Sequence, residues 1–158
     1  MNPLNKAGDG KMSEQVKYIV GYDGGELSLR AAHLAVGKLQ ARGGGTLLLT
    51  YVVDWSEFEV MSVEELAVRH SQHMEQMESA EKDIMEPARK KLAAEGVIIE
   101  SHVQVGHAAE IICSLADEQK AEQIFIGHKS SGLLAKLGLG SVAYGILQKA
   151  KVPVTVVP

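Results

Sequence analysis

The chain is defined first by what it has little of. A single cysteine, Cys113, excludes an internal disulfide, a cysteine-built zinc site and CxxC redox chemistry. There is no basic excess: 16 Lys and Arg stand against 20 Asp and Glu, for a net charge of −4. A nucleic-acid backbone or an anionic membrane needs a basic surface, so neither is expected as the main partner. No apolar run approaches the length of about 18 residues needed to span a bilayer. The opening MNPLNKAGDGK has no apolar core and does not read as a secretory signal, which makes a cytoplasmic location the expectation. There is no internal repeat and no low-complexity segment. What remains is 158 residues that are 46% hydrophobic and 23% charged, an ordinary composition for one globular domain able to bury a core without staples.

Residues 1–15 are polar and read as a disordered tail; residues 16–158 read as the domain. Tyr18–Tyr22 is a short buried strand. Glu26–Arg42 places Leu27, Ala31, Leu34, Ala35 and Leu39 at helical spacing and stops at Gly43-Gly44-Gly45, where the missing side chains permit a helix end. Thr46–Val53 (TLLLTYVV) is too short for a typical helix and reads as a strand buried on both faces. After a loop over 54–61, Ser62-x-x-Glu65 fits a capping box. The less polar positions Val63, Leu66, His70, Met74, Met77, Ile84, Ala88 and Leu92 predict one long helix, kinked near Pro87 and ended by Gly96. Val97–Val105 follows as a strand with Val97, Ile99, Ser101, Val103 and Val105 on one face. Then come a helix over His107–Gln119, a strand over Gln123–Gly127, a glycine-bearing loop over 128–139, a helix over Gly140–Ala150 and a strand over Val152–Val157.

Strands separated by helices predict an α/β fold: a single-domain, open, parallel five-stranded sheet with helices on both faces and right-handed crossovers. In such sheets ligands sit beyond the carboxyl ends of the strands, where the strand order reverses. That directs attention to Asp23, to Val52-Val53-Asp54 and to the loop after the fourth strand. This loop, Gly127 to Ser141, reads GHKSSGLLAKLGLGS and leads into a helix. A helix N-terminus offers free N–H groups and about half a positive charge, which favours phosphate. Lys129 adds charge and Ser141 a hydroxyl. The plainer reading is that the glycines only shape a surface turn. The loop is neither a P-loop, since GxxxxGK[ST] is absent, nor the GxGxxG dinucleotide fingerprint.

The same loop resembles the nucleotide motif of the universal stress protein family, Gly-x2-Gly-x9-Gly-[Ser/Thr]. Gly127, Gly140 and Ser141 match, with Ser130 at the second glycine. Tyr22-Asp23-Gly24-Gly25 resembles the family's Asp-Gly-Ser, and Tyr51-Val52-Val53-Asp54 its His-Val-Val-Asp. Val105-Gly106 with Ile111, Ala116, Glu122 and Ile126-Gly127 resembles its third-to-fourth-strand stretch. Val152-Pro153-Val154-Thr155-Val156-Val157 resembles its closing strand. The resemblance runs from residue 17 to 158 and implies a Rossmann-like, adenine nucleotide alpha hydrolase-like fold with an ATP site at the carboxyl edge of the sheet. In that site Asp23, beside Gly21 and Tyr22, meets the adenosine end, and the backbone of Val52 reads adenine. Gly127, Ser130, Gly140 and Ser141 hold the phosphates, His128, Lys129 and Val142 are expected to complete the site, and magnesium is the expected accompanying ion. It also implies a stress-response regulatory homodimer joined through the C-terminal strand, whose edge at the end of the sheet invites pairing with a second copy. The alternative is a dimeric interaction module of the same fold with an empty pocket, and Ser130 is the feature that favours it. No general base or nucleophile stands out, so at most slow ATP hydrolysis is expected.

Other residues carry blander readings. His70 and His73 share a helix face but lack an aspartate or cysteine partner, and read as surface histidines. His107 reads as the cap of the helix after the third strand, at the carboxyl edge. His128 reads as a lining residue rather than a catalyst; Ser130 and Ser131 beside it form no GxSxG elbow. Cys113 reads as core. Met74, Met77 and Met85 read as packing for the long helix, with a partner surface as the alternative. Trp55 and Phe58 either lid the nucleotide or anchor their loop.

Overall fold

The computed structural model describes residues 15–54, 62–128 and 139–158. Their elements run β1 (Lys17–Gly21), α1 (Glu26–Ala41), β2 (Gly45–Asp54), α2 (Val63–Ala80), a π-helical turn (Glu81–Met85), α3 (Glu86–Leu92), β3 (Val97–Gly106), α4 (Ala108–Glu118), β4 (Gln123–Gly127), α5 (Ser141–Lys149) and β5 (Val154–Val157). The five strands form one parallel sheet, as expected from the alternation of strand and helix, and their order is β3-β2-β1-β4-β5. The chain winds outward from β1 to β3 and then crosses to the other side of β1 for β4 and β5. The order therefore reverses between β1 and β4.

Alternation along the strands divides the core into two layers. Tyr18, Val20, Leu47, Leu49 and Phe125 pack on one face with α1, the π turn and α3. Ile19, Leu48, Ile124 and Ile126 pack on the other with α4 and α5. Leu47, Leu48 and Leu49 are wholly buried, worth about 1.5–3 kcal/mol each. That is why β2 reads as an unbroken apolar run. Cys113 sits in the second layer, and burial, with a smaller push from Asp117, raises its thiol pKa.

The strands are unequal. β2 and β3 have ten residues each, β1 and β4 five. Gly21 pairs with Thr50 at the end of β1. Tyr51 to Asp54 continue alone with Val103 to Gly106 of β3, a ribbon reaching about 13 Å past the end of β1.

The long helix meets expectation in two respects and departs from it in two. The capping box forms: Glu65 N–H donates to Ser62 Oγ (3.2 Å) and Ser62 N–H to Glu65 Oε2 (2.6 Å). The helical path runs on as one to Leu92, as expected, and its irregularity near Pro87 takes the form of the π turn Glu81–Met85. Pro87 has no N–H for an α ladder and its ring crowds the carbonyl four residues back, so the preceding turn widens. The path also ends at Leu92, before Gly96; Ala93 leaves helical geometry with ψ 125. Finally, only the second half packs as core, through Ile84, Met85, Ala88 and Leu92, whereas Val63, Leu66 and Met74 are exposed. A polar tie fixes this second half to the sheet. The Ser101 hydroxyl of β3 donates to Glu81 (2.8 Å), and Arg89 bonds to both. Burial works upward on the Glu81 carboxyl, but the bonds from Arg89 and Ser101 and the charge on Arg89 outweigh it and hold the pKa low.

Candidate functional site

At the reversal between β1 and β4 the carboxyl ends of the strands open into a crevice of about 780 Å³. Its floor is Gly21, Tyr22 and Gly127, where β1 and β4 stop. Its walls are the ribbon of β2 and the first turns of α1, α4 and α5.

The β2 wall presents bare backbone. Tyr22 N–H donates to Thr50 C=O (2.8 Å), the last rung between β1 and β2 among the described residues. In a parallel ladder the N–H and C=O of alternate residues serve the same edge. Val52 and Asp54 therefore direct theirs toward the side from which β1 has withdrawn. The Val52 side chain belongs to the face covered by α4, where Ala108, Ala109, Ile112 and Ile126 add apolar lining.

The turn from β1 into α1 holds a carboxylate. Asp23 Oδ1 accepts from Gly25 N–H (2.8 Å) and from the buried Ser28 hydroxyl (2.5 Å), and Asp23 N–H returns a bond to Ser28 Oγ (3.2 Å). Gly24 makes this possible with φ +83, a conformation that disfavours a side chain. Ile84 of the π turn packs beside it, since a Cβ on Gly24 would lie 3.3 Å from Ile84 Cγ2. Tyr22 is buried next door; burial and then the Asp23 charge push its pKa up.

Charge is distributed unevenly. Asp23, Glu26 and Asp54 line the crevice, and His107 is the one described lining side chain able to carry positive charge. The α5 end differs. Gly140 caps that helix without a side chain, and its first turn holds no acid. The first amides of α5 therefore face the crevice with the helix dipole behind them. Gly145 of α5 packs so tightly on α4 that a Cβ would lie 2.8 Å from Ala109 Cβ, which sets the two helix starts side by side.

Gly21, Tyr22, Asp23, Val52, Gly127, Gly140, Ser141 and Val142 all line this one crevice. Lys129 and Ser130 lie outside the described residues, as do Trp55, Phe58 and Ser131. His128, expected among the lining residues, is not one of them; its N–H donates to Val157 C=O (2.7 Å), so the residue continues the β4–β5 ladder. His107 stands at the N-cap position of α4 and at the carboxyl edge, as expected, but its side chain makes no cap bond. Gly127 has a packing reason of its own: a Cβ there would lie 2.7–2.9 Å from the main chain of Leu27 and Ser28. Sequence reasoning missed Ser28 as the partner of Asp23 and Ala108, Ala109 and Ile112 of α4 as lining. The available signals were a hydroxyl one turn into α1 and the rule that every strand of a parallel sheet ends on this edge. Among the described residues no cluster of three metal-ligating side chains occurs; His70 is exposed and His73 half-buried.

The model of the universal stress protein family matches residues 17–158. A universal stress protein of Methanocaldococcus jannaschii is 32% identical over 143 residues, covering 89% of this chain and 81% of that protein. The solved structure of UspA from Lactobacillus plantarum superposes with a TM-score of 0.76 at 20% identity, covering 91% of this chain and 98% of the other. The universal stress protein from Archaeoglobus fulgidus in complex with dAMP superposes at 0.57 and 20% identity, covering 90% and 98%. At these identities the superpositions speak for the fold.

Proposed function

Since the chain belongs to the universal stress protein family, we propose that it binds an adenine nucleotide, ATP, in the crevice at the carboxyl edge of its sheet. The observation that carries this reading is the polarity of the crevice. At one end the edge of Val52, which no described strand pairs, sits over apolar lining, suited to the rim and faces of a base. In the middle the tethered Asp23 carboxylate can accept from ribose hydroxyls. At the other end the amides of α5 and the Ser141 hydroxyl suit phosphate oxygens. A carboxylate beside Val52 and none in the first turn of α5 orient an anionic ligand with its phosphates toward α5. The dAMP carried by the Archaeoglobus fulgidus relative supports the ligand class. Gly21, Tyr22, Gly127 and Val142 would shape the pocket, and Lys129 and Ser130 would add charge and a hydroxyl from the loop.

Magnesium would enter on the phosphates, with Ser141 as its protein ligand, because the described residues offer no cage of three ligating side chains. Among the described residues the site holds no evident nucleophile or general base, and we assign it binding rather than turnover. The biological role would be a cytoplasmic stress-response regulator, dimeric through the outer edge of β5, the terminal strand of the sheet among the described residues. A second reading, an interaction module with a degenerate pocket, is favoured by Ser130 at a glycine position of the motif. Calorimetric titration with magnesium and ATP separates the two. Micromolar binding lost in Gly140→Val and Asp23→Ala supports the nucleotide reading; no binding at millimolar ATP overturns it and leaves the second.

A further inference from the structure

The nucleotide reading leaves open what makes the site prefer one purine, and the ribbon of β2 supplies an answer. Past Thr50 the edge of β2 that faces β1 has no strand beside it among the described residues. The backbone of Val52 offers that edge one donor and one acceptor. Such a pair is degenerate between purines. A 6-amino purine presents a donor at its exocyclic nitrogen and an acceptor at N1; a 6-keto purine presents an acceptor at O6 and a donor at N1. A small shift in the plane of the base lets the same N–H and C=O satisfy either. Backbone alone therefore does not choose.

Asp54 breaks that tie. Alternation places it two residues beyond Val52, on the same face of the ribbon and serving the same open edge. It lines the crevice and is exposed. Across the ladder its partner is Gly106, which has no side chain to shield it. An ionised carboxylate only accepts hydrogen bonds. Facing an exocyclic amine it gains one; facing a keto oxygen it sets acceptor against acceptor and leaves both unpaired, the arrangement that discriminates most strongly in recognition sites.

We infer that Asp54 is a specificity-determining residue that makes the crevice select 6-amino over 6-keto purine nucleotides. The inference rests on the nucleotide reading above, and its test is built to fail separately from it. Adenosine and inosine monophosphates share sugar, phosphate and net charge. Removing the carboxylate relieves repulsion of both phosphates alike, so the ratio of their affinities isolates the base. Wild-type protein is expected to bind the adenosine form at least tenfold more tightly in a calorimetric titration. Asp54→Ala should shrink that ratio at least threefold by weakening the amino contact. Asp54→Asn should shrink it further, because its amide can donate to O6, and should tighten inosine monophosphate beyond the gain seen in Asp54→Ala. A structural defect would not produce that rise. Thermal melts of both variants check that they fold. If wild type binds both nucleotides equally, or if the ratio holds within twofold in both variants, Asp54 has no such role and the nucleotide reading stands. If wild type binds neither at millimolar concentration, both fall together.

Discussion

Replacing Gly127 with alanine should destabilise the protein for a reason unconnected with any ligand. The added Cβ would meet Leu27 C at 2.7 Å, Ser28 N at 2.8 Å and Leu27 O at 2.9 Å. Ordinary contact begins near 3.4 Å, so the first turn of α1 must retreat by roughly 0.7 Å. Main-chain atoms cannot rotate aside, which puts the change among overpacked substitutions costing about 1–3 kcal/mol. At about 2–4 °C per kcal/mol for a chain of this size, the melting temperature should fall by roughly 4–8 °C for a mid-range cost of about 2 kcal/mol. Since Ser28 holds Asp23, nucleotide affinity should fall as well. The matched control is Gly37→Ala. Gly37 lies inside α1, and its Cβ would meet nothing within 4 Å; there alanine should stabilise by about 0.5–1 kcal/mol. Thermal unfolding followed by circular dichroism reads both. An alanine at 127 that melts within 1 °C of wild type would refute the packing argument, and so would a control that falls by as much.

Three further outcomes are expected. Ser28→Ala removes the buried hydroxyl that ties down Asp23; it should cost about 1–3 kcal/mol and weaken nucleotide binding, checked by chemical denaturation and calorimetry. Because the folded pKa of Glu81 lies below its ordinary 4.5, the stability it adds is present above about pH 4.5 and is lost as pH falls through the folded value. The gap between wild type and Glu81→Gln should therefore narrow on acidification, modestly, since the side chain is 42% exposed; a gap that widened would contradict the assignment. The Cys113 thiol, 8% exposed and raised in pKa by burial, should react with a water-soluble disulfide reagent only as fast as the protein opens, and at full speed in denaturant.

Much of the fold is readable from pattern because burial on both faces leaves a plain trace. TLLLTYVV has no polar alternation to confuse it with a half-exposed strand, and QIFIG matches β4 residue for residue. The capping box at Ser62 is local chemistry and forms as written. The long helix misleads because helical spacing predicts a face, not what covers it. Val63, Leu66 and Met74 keep the spacing yet stay exposed, while the same register buries Ala88 and Leu92 further on. The π turn has no sequence sign beyond Pro87 itself. In the crevice, motif spacing picks out the strand ends, but the start of α4 enters through tertiary packing, by way of Ala109 against Gly145, and no linear spacing encodes that contact.

The fit of Gly127 against α1 also bears on how such motifs should be weighed. A residue demanded by a neighbouring helix stays under the same constraint whether or not a ligand is present, so a descendant that abandoned nucleotides would go on keeping it. Its persistence is evidence of ancestry. Evidence of a working pocket has to come from positions that nothing but the ligand would hold in place.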